Sequence, residues 1–159
     1  MAEDDDNARL TGLARAFIEV LPHVSALGMR VDHVEPGAAD MSMPWDERLV
    51  GDPATGVIHG GAVSALMDSC ASVAVMSRRE APSATATLDL RVDYMRPARP
   101  GERLHARAEC YHMTRHVAFV RAAAHDGRGA DAPVARVAAT FIVEREDGAE
   151  SAEGAEDAG

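Results

Sequence analysis

One carboxylate is unusual because it interrupts a long apolar stretch of the chain. Asp68 lies within HGGAVSALMDSCASVAVMS, a segment of mostly small and apolar residues that begins at His59. If this segment is helical, Gly61, Ser64, Asp68 and Ser72 fall on one narrow stripe of an otherwise mostly apolar helix. Desolvating a lone carboxylate is costly. Asp68 is therefore exposed to water, satisfied within a core, or placed in a site as a base or nucleophile.

Two glycines stand at the start of the same segment. Gly60 and Gly61 follow His59 directly, so their N–H groups would lie at the positive end of a helix dipole. Such amides can hold an oxyanion or polarise a carbonyl group. A Gly-Gly helix start can equally be only a tight turn, and His59 can equally be a helix-entry residue that bonds nearby backbone. The histidine, the two amides and a carboxylate nine residues later together favour a catalytic site.

The elements that must position these residues follow from the hydrophobic pattern. Spacings of three and four predict a helix at residues 9–21, ended by Pro22, and a more apolar one at residues 60–77. Residues 46–58 contain Gly, Asp, Pro and Thr and predict a loop. Strands are predicted first as a hairpin and then as four consecutive strands, at residues 29–34, 39–43, 87–95, 103–111, 117–125 and 133–143.

The order of these elements indicates the fold class. Short connections make neighbouring strands antiparallel, and one long helix is available to cover the sheet. We therefore predict an α+β fold in which an antiparallel sheet wraps around one long central helix. Within the strand at residues 87–95, strict alternation places Leu88, Leu90, Val92 and Tyr94 on one face.

The charges of the chain are concentrated at its two ends. The 159 residues carry a net charge of −10, of which residues 1–8 contribute −4 and residues 144–159 contribute −6, so residues 9–143 are neutral. This distribution leaves no basic face and argues against a nucleic-acid partner. All 16 lysine or arginine positions are arginine, which excludes a Schiff-base lysine and the lysine of a phosphate-binding P-loop.

Composition divides the chain into three parts. Residues 1–8 and 144–159 are expected to be acidic, disordered ends, and residues 9–143 to form one domain. The opening MAEDDDNARL is acidic where a signal peptide would be basic, and no apolar run approaches the roughly 20 residues of a membrane span. Cys70 and Cys110 lie in apolar stretches and are expected to be buried. We expect a soluble, cytoplasmic protein with no membrane partner.

Three stretches of the chain, in order, resemble those of a known family. They are LGMRVDHVEPGAADMSM, GVIHGGAVSALMD and TLDLRVDYMRPARPGE, and they are similar to the hotdog-fold acyl-CoA thioesterases of the phenylacetic-acid-degradation type, within the 4-hydroxybenzoyl-CoA thioesterase superfamily. The resemblance covers about residues 13–143. It implies a hotdog fold with a sheet wrapped around the central helix, and an active site shared between two subunits.

The resemblance also implies a role for each matching residue. The Gly60 N–H group would polarise the thioester carbonyl, and Asp68 from the neighbouring subunit would act as base or nucleophile towards the acyl carbon. Thr87 matches a family Ser/Thr that helps to position the aspartate or the attacking water. His59 would chiefly orient the loop and its amides. The implied assembly is a homotetramer, as a dimer of dimers.

One position departs from the family pattern. The loop before His59 commonly contributes an asparagine whose amide also donates to the carbonyl, whereas Asp52 lies nearest that position here. An ionised carboxylate accepts hydrogen bonds but cannot donate one. Either Gly60 suffices, or Asp52 is protonated, or the activity is weakened.

Substrate contacts are expected at four further residues. Gly61 and Ser64 lie on the polar stripe, while Arg96 and Arg99 lie at a strand end where related proteins meet coenzyme A. The two arginines could pair with its phosphates, or they are ordinary exposed loop residues. We expect no cofactor other than the coenzyme A of the substrate. We also expect no metal site, because the scattered histidines show no metal-ligand spacing.

The sequence thus predicts an acyl-CoA thioesterase that releases a small aromatic or aliphatic acid and coenzyme A. Two alternatives stay open. A non-catalytic acyl-CoA-binding protein of the same fold would fit Asp52 in place of asparagine. An enoyl-thioester hydratase or dehydratase of the same fold would pair a histidine with an acid, but the position of His59 before two glycines and the spacing to Asp68 argue against it.

Overall fold

Six antiparallel strands form one sheet, and one long helix packs against it. The computed structural model describes residues 2–129 and 131–145. Its helices are α1 (Ala2–Ile18), α2 (Pro22–Ala26) and α3 (Gly60–Met76). Its strands are β1 (Arg30–Glu35), β2 (Ala38–Met43), β3 (Val50–Asp52), β4 (Val57–Ile58), β5 (Ala84–Tyr94), β6 (Leu104–Met113), β7 (Val117–Asp126) and β8 (Ala135–Glu144).

The strand order of the sheet is β1-β2-β6-β7-β8-β5, with every neighbouring pair antiparallel. The short strands β3 and β4 form a separate hairpin immediately before α3. Helix α3 contacts β1, β2, β5, β6, β7 and β8. The predicted α+β hotdog arrangement is confirmed, and so are the early hairpin and the four consecutive strands.

The core lies between α3 and the sheet. Alanines alternate along the inner face of the central strands, for example Ala106 and Ala108 on β6, and let the helix approach closely. The largest fully buried side chains include Phe141, Met41 and Leu66. Cys70 is also buried, as expected, and burial raises the pKa of its thiol, which keeps it neutral.

The N-terminal boundary differs from the expectation. Residues 1–8 were expected to be disordered, but helix α1 includes residues 2–8. Glu3, Asp4 and Asp5 lie in its first turn, where negative charge interacts favourably with the helix dipole. Glu144, expected to belong to the C-terminal tail, is the last residue of β8. The rest of that tail, after residue 145, lies outside the described residues.

Two further differences concern the surroundings of α3. The predicted loop at residues 46–58 contains a 3-10 helix (Glu47–Leu49) and the β3–β4 hairpin. In β5 the register shifts between Thr87 and Asp89, which marks a β-bulge at Leu88. The bulge reverses the alternation, so Leu88 is 64% exposed while Leu90 packs partly buried against the core. Within the described ranges, no helix is long and apolar enough to cross a membrane.

Candidate active site

The first turn of α3 is built by His59, Gly60 and Gly61. His59 is the N-cap residue, and its Nδ1 accepts a hydrogen bond from the Gly61 N–H group at 2.8 Å. The His59 N–H group donates to the Leu49 carbonyl at 2.8 Å, and the His59 carbonyl accepts from the Ala62 N–H group at 2.9 Å. Among the described residues, the Gly60 N–H group has no hydrogen-bond acceptor. This amide is therefore available to a ligand.

Close packing explains why both glycines are needed at this turn. A Cβ on Gly60 would lie 3.1 Å from Cζ of Tyr94, and a Cβ on Gly61 would lie 2.9 Å from Nδ1 of His59. The phenol of Tyr94 also donates to the Gly60 carbonyl at 2.8 Å. The sequence pattern predicted for Tyr94 only a place on one face of its strand, because nothing in the alternation of β5 shows that the ring reaches the start of α3.

Asp68 lies two turns further along α3, on the side that the sheet does not cover. Its carboxylate is half-buried, and Oδ1 accepts a hydrogen bond from Oγ1 of Thr87 at 2.8 Å. Thr87 reaches the helix because it precedes the bulge in β5. The structure therefore brings together two residues that the sequence placed nineteen positions apart. Oδ2 of Asp68 has no hydrogen-bond partner among the described residues.

The polar stripe of α3 is the accessible side of that helix. Ser64, Asp68 and Ser72 are half-buried and Gly61 is exposed, whereas the flanking apolar residues of α3 are mostly buried. Oγ of Ser64 donates to the Gly61 carbonyl at 3.1 Å. The stripe thus connects the amide turn to the carboxylate along one face.

Asp52 closes a turn in the β3–β4 loop. Its carboxylate accepts from the Ala54 N–H group at 3.1 Å and from the Thr55 hydroxyl at 2.6 Å, and its carbonyl accepts from the Gly56 N–H group at 2.8 Å. Both carboxylate oxygens are thus occupied within the loop. This geometry gives Asp52 a structural role in the chain and shows no donor that it could offer to a carbonyl.

The two arginines that were candidates for phosphate contacts have different surroundings. Arg96 forms a bidentate ion pair with the fully buried Asp126, at 2.7 and 2.8 Å, and also donates to the Ala132 carbonyl. The ion pair lowers the pKa of Asp126 and raises that of Arg96. Arg99 donates to Asp126 only through its backbone N–H group, and its exposed guanidinium has no partner among the described residues. Arg96 therefore has a structural role, in which its guanidinium is already paired. Of these two arginines, only Arg99 has a guanidinium that is free to bind an anion.

A surface groove of about 410 Å³ adjoins the first two turns of α3. Its walls are mainly apolar and come from the end of α2, the 3-10 helix, the start of β3 and α3. They include Leu27, Leu49, Val50, Ala62 and Ala65. His59 and Gly61 lie at its edge. An apolar groove that opens beside this amide turn can receive a chain attached to a carbonyl group. In the part of the chain that the structure describes, no three His, Cys, Asp or Glu residues are grouped to hold a metal ion.

A comparison with protein families finds the Thioesterase superfamily at residues 55–132. This segment includes the amide turn, Asp68, Thr87 and three of the six strands of the sheet, β5, β6 and β7.

Individual relatives extend over more of the chain. A curated relative from Halobacterium salinarum is 34% identical over 99 residues, which are 60% of this chain and 64% of that protein, slightly less than two thirds of its length. The medium/long-chain acyl-CoA thioesterase YigI of Escherichia coli K12 is 29% identical over 140 residues, 80% of this chain and 88% of YigI. The solved structure of a variant of the phenylacetic acid degradation protein PaaI from Thermus thermophilus is 31% identical, with a TM-score of 0.68 over 77% of this chain and 99% of that one.

Proposed function

This chain belongs to the thioesterase superfamily, as a hotdog thioester hydrolase of the PaaI type, and from this premise we propose that it hydrolyses acyl-CoA thioesters at Asp68. One observation carries the assignment of the residue. The Asp68 carboxylate lies on the accessible face of α3 with one oxygen held by Thr87 and the other free. A carboxylate that is oriented through one oxygen, and whose other oxygen has no hydrogen-bond partner, can act on a substrate.

The proposed site requires two copies of the chain. Gly60 and Asp68 are eight residues apart on one helix, which at a rise of about 1.5 Å per residue separates them by roughly 12 Å along its axis. A single carbonyl group cannot meet both. If a second copy lies antiparallel with its α3 beside the first, the Gly60 amide of one copy faces Asp68 of the other. The expected assembly is thus at least a homodimer, and the tetramer stays a prediction.

The reaction follows from these positions. The Gly60 N–H group donates to the thioester oxygen and stabilises the negative charge that develops on it. Asp68 either takes a proton from water that attacks the acyl carbon, or attacks that carbon itself and forms an anhydride that water then hydrolyses. In both cases the C–S bond breaks, coenzyme A leaves as a thiol after gaining a proton, and the acid is released.

The groove beside α3 is the proposed place for the acyl group. Its apolar walls and its position next to His59 and Gly61 suit a carbon chain or an aromatic ring joined to the carbonyl. The names of the relatives cover both classes, since YigI is described as a medium/long-chain acyl-CoA thioesterase and PaaI as a phenylacetic acid degradation protein. We therefore propose a small aromatic or an aliphatic acyl-CoA as substrate, and Arg99 as a contact for the phosphates of coenzyme A.

The decisive experiment measures thiol release from a panel of aromatic and short-, medium- and long-chain acyl-CoAs. Asp68→Asn keeps the shape of the side chain but removes the base, and its kcat should fall by roughly 10²–10⁴-fold. Asp32→Asn, an exposed carboxylate on β1, is the matched control and should retain the wild-type rate. Equal rates for wild type and Asp68→Asn would overturn the assignment.

A second candidate is a protein that binds acyl-CoA without turnover. The observation that favours it is Asp52, whose carboxylate is used within its own loop and offers no hydrogen to the thioester oxygen. Calorimetry with the same panel distinguishes the two functions. Binding of an acyl-CoA together with no thiol release from a folded oligomer would select the binding protein.

A further inference from the structure

Tyr94, the last residue of β5, lies over the amide turn although it belongs to another element. Its hydroxyl donates to the Gly60 carbonyl at 2.8 Å. Its Cζ, Cε1 and Oη atoms would lie 3.1–3.2 Å from a Cβ on Gly60, so the ring packs directly against the glycine. The residue as a whole remains 53% exposed. The contact is thus specific for the backbone of Gly60 and does not arise from general burial of the ring.

The hydrogen bond from Tyr94 continues into His59. The Gly60 carbonyl and the Gly61 N–H group belong to one planar peptide group. That N–H group donates to Nδ1 of His59 at 2.8 Å. Phenol, peptide and imidazole therefore form one chain of hydrogen bonds, in which each bond polarises the next. Because Nδ1 accepts, a neutral His59 carries its proton on Nε2.

This chain of bonds restricts a turn that its sequence would leave loose. Glycine populates a wider range of backbone dihedrals than any other residue, and here two glycines are consecutive. The preceding peptide, which carries the free Gly60 N–H group, is held by the bond from the Ala62 N–H group to the His59 carbonyl at 2.9 Å. With the peptides on both sides of the Gly60 Cα held, the two flexible dihedrals of this glycine are restricted and its N–H group keeps one direction. Donors that are oriented before the reaction stabilise a developing oxyanion best.

We propose that Tyr94 is a positioning residue, which holds the Gly60–Gly61 peptide and thereby aims the Gly60 N–H group and sets the tautomer of His59. The inference rests on the proposed thioesterase function, because it assigns Tyr94 a part in that reaction through Gly60. Tyr94 itself does not need to touch the substrate.

Tyr94→Phe tests the proposal because it removes only the hydroxyl. Tyr111→Phe is a matched control, since Tyr111 is 54% exposed on β6 and its ring contacts Arg121. With the best acyl-CoA of the panel, we expect kcat of Tyr94→Phe to fall about tenfold with KM changed less than threefold, because the lost orientation matters most in the transition state. Tyr111→Phe should match the wild type in both constants.

A spectroscopic measurement accompanies the kinetics and does not depend on activity. The nitrogen-15 shift of Nδ1 in His59 and the amide shifts of Gly61 should change in Tyr94→Phe and stay unchanged in Tyr111→Phe. An unchanged kcat in Tyr94→Phe, while Asp68→Asn is inactive, overturns the positioning role and leaves the proposed function intact. If the wild type cleaves no thioester, the proposed function fails, and so does the catalytic part of this inference. Unchanged shifts in Tyr94→Phe would overturn its structural part as well.

Discussion

The two edges of the six-stranded sheet are treated in opposite ways. At the β1 edge, side chains at four-residue intervals face the strand. They are Thr11 and Arg15 of helix α1 and Glu19, which directly follows that helix. Oγ1 of Thr11 accepts from the Val34 N–H group at 2.9 Å, Arg15 donates to the Val31 carbonyl at 2.8 Å, and Glu19 accepts from the Val31 N–H group at 2.8 Å. Backbone groups that another strand could bind are therefore already occupied.

The β5 edge has no such cover. Within the described residues, β5 pairs only with β8, and nearly all of its eleven residues are exposed or half-exposed. Leu88 on this edge is 64% exposed, and the charged residues Arg91 and Asp93 pair with each other on the strand itself. A long, open and partly apolar edge is a site where another chain adds a strand. It is also the strand that carries Thr87 and Tyr94.

The difference between the two edges indicates which edge can pair with a second copy of the chain. One edge is closed by side chains of the same molecule, so its backbone groups need nothing from outside. The edge beside Asp68 is left open, and the proposed reaction, in which the Gly60 amide and Asp68 act on one carbonyl group, needs a second copy. We infer that β5 belongs to the interface that completes the site, whereas α1 prevents the same pairing at β1.

The largest effect is expected from a charge placed on the open β5 edge. Leu88→Asp would place a carboxylate in the proposed interface, where unpaired or like charges cost several kcal/mol. We expect the dimer to weaken by roughly a thousandfold and specific activity at low protein concentration to fall with it. Sedimentation velocity and rates measured over a range of protein concentrations check both.

Leu13→Asp is the control for that substitution. Leu13 lies on α1, near the closed edge, and is 48% exposed. It should stay dimeric and active, because a charge on an exposed helix surface costs little. A fully active, dimeric Leu88→Asp protein would show that the β5 edge is not the interface.

A mixture of two inactive variants tests whether the site is shared between two copies. Gly60→Pro removes the N–H group at the first position of α3, where proline is well tolerated, and His59 already has the extended backbone that precedes proline (φ −63°, ψ 135°). The ring of Tyr94 must move by a few tenths of an ångström. If the site is shared, a dimer of Gly60→Pro with Asp68→Asn contains one complete site.

The expected gain is specific. After unfolding and refolding of an equal mixture, about half of the dimers are mixed and each has one of two sites, so activity should return to about a quarter of the wild type. Each variant alone, refolded in the same way, should remain inactive. A mixture that stays inactive, although both variants fold and form dimers, would contradict a site shared between two copies.

The closed edge should be important for stability and not for catalysis. Thr11 is buried, and Thr11→Val leaves the Val34 N–H group without its acceptor. An unsatisfied buried donor costs about 1–3 kcal/mol, so the free energy of unfolding should fall by that amount while kcat and the dimer are retained. Urea unfolding at fixed protein concentration measures the change. Thr140→Val on β8 is the control. An equal loss of unfolding free energy in that variant would show that the effect of Thr11→Val does not depend on the contact of α1 with β1.

The sequence predicted the elements of this fold better than their contacts. Helix α3 and the four late strands follow from periodicity, because burial against one core imposes the periods 3.6 and 2. The same rule was wrong for Leu88, since a bulge adds one residue and leaves no mark in the alternation. The helical start at residues 2–8 was missed for a different reason, because acidic composition indicates solvation and says nothing of the helix dipole.

For the candidate site too, the sequence predicted individual residues better than the contacts between elements. Asp68 could be found because a carboxylate in an apolar helix is conspicuous, and the amides of Gly60 and Gly61 because of their position before that helix. Contacts across the sheet could not be found. The pairing of Arg96 with Asp126 depends on where the segment after β5 meets the end of β7. The reach of Tyr94 to Gly60 depends on the angle between β5 and α3. Neither is encoded in local spacing.

The smallest expected effect concerns Thr87, which joins the open edge to the carboxylate. Thr87→Val keeps the branched shape but removes the hydroxyl that donates to Asp68 at 2.8 Å. The carboxylate would then lose one orienting bond, worth about 1 kcal/mol, and kcat should fall about five- to tenfold at nearly constant KM.

Thr85→Val, two residues away on β5, instead removes a bond to the Ile142 carbonyl at 2.9 Å and should leave kcat unchanged. If both variants lose the same activity, the cause is the integrity of the strand and not its contact with Asp68. If neither does, Asp68 is oriented by the partner copy across the β5 edge, and the open edge itself becomes the element that aims the base.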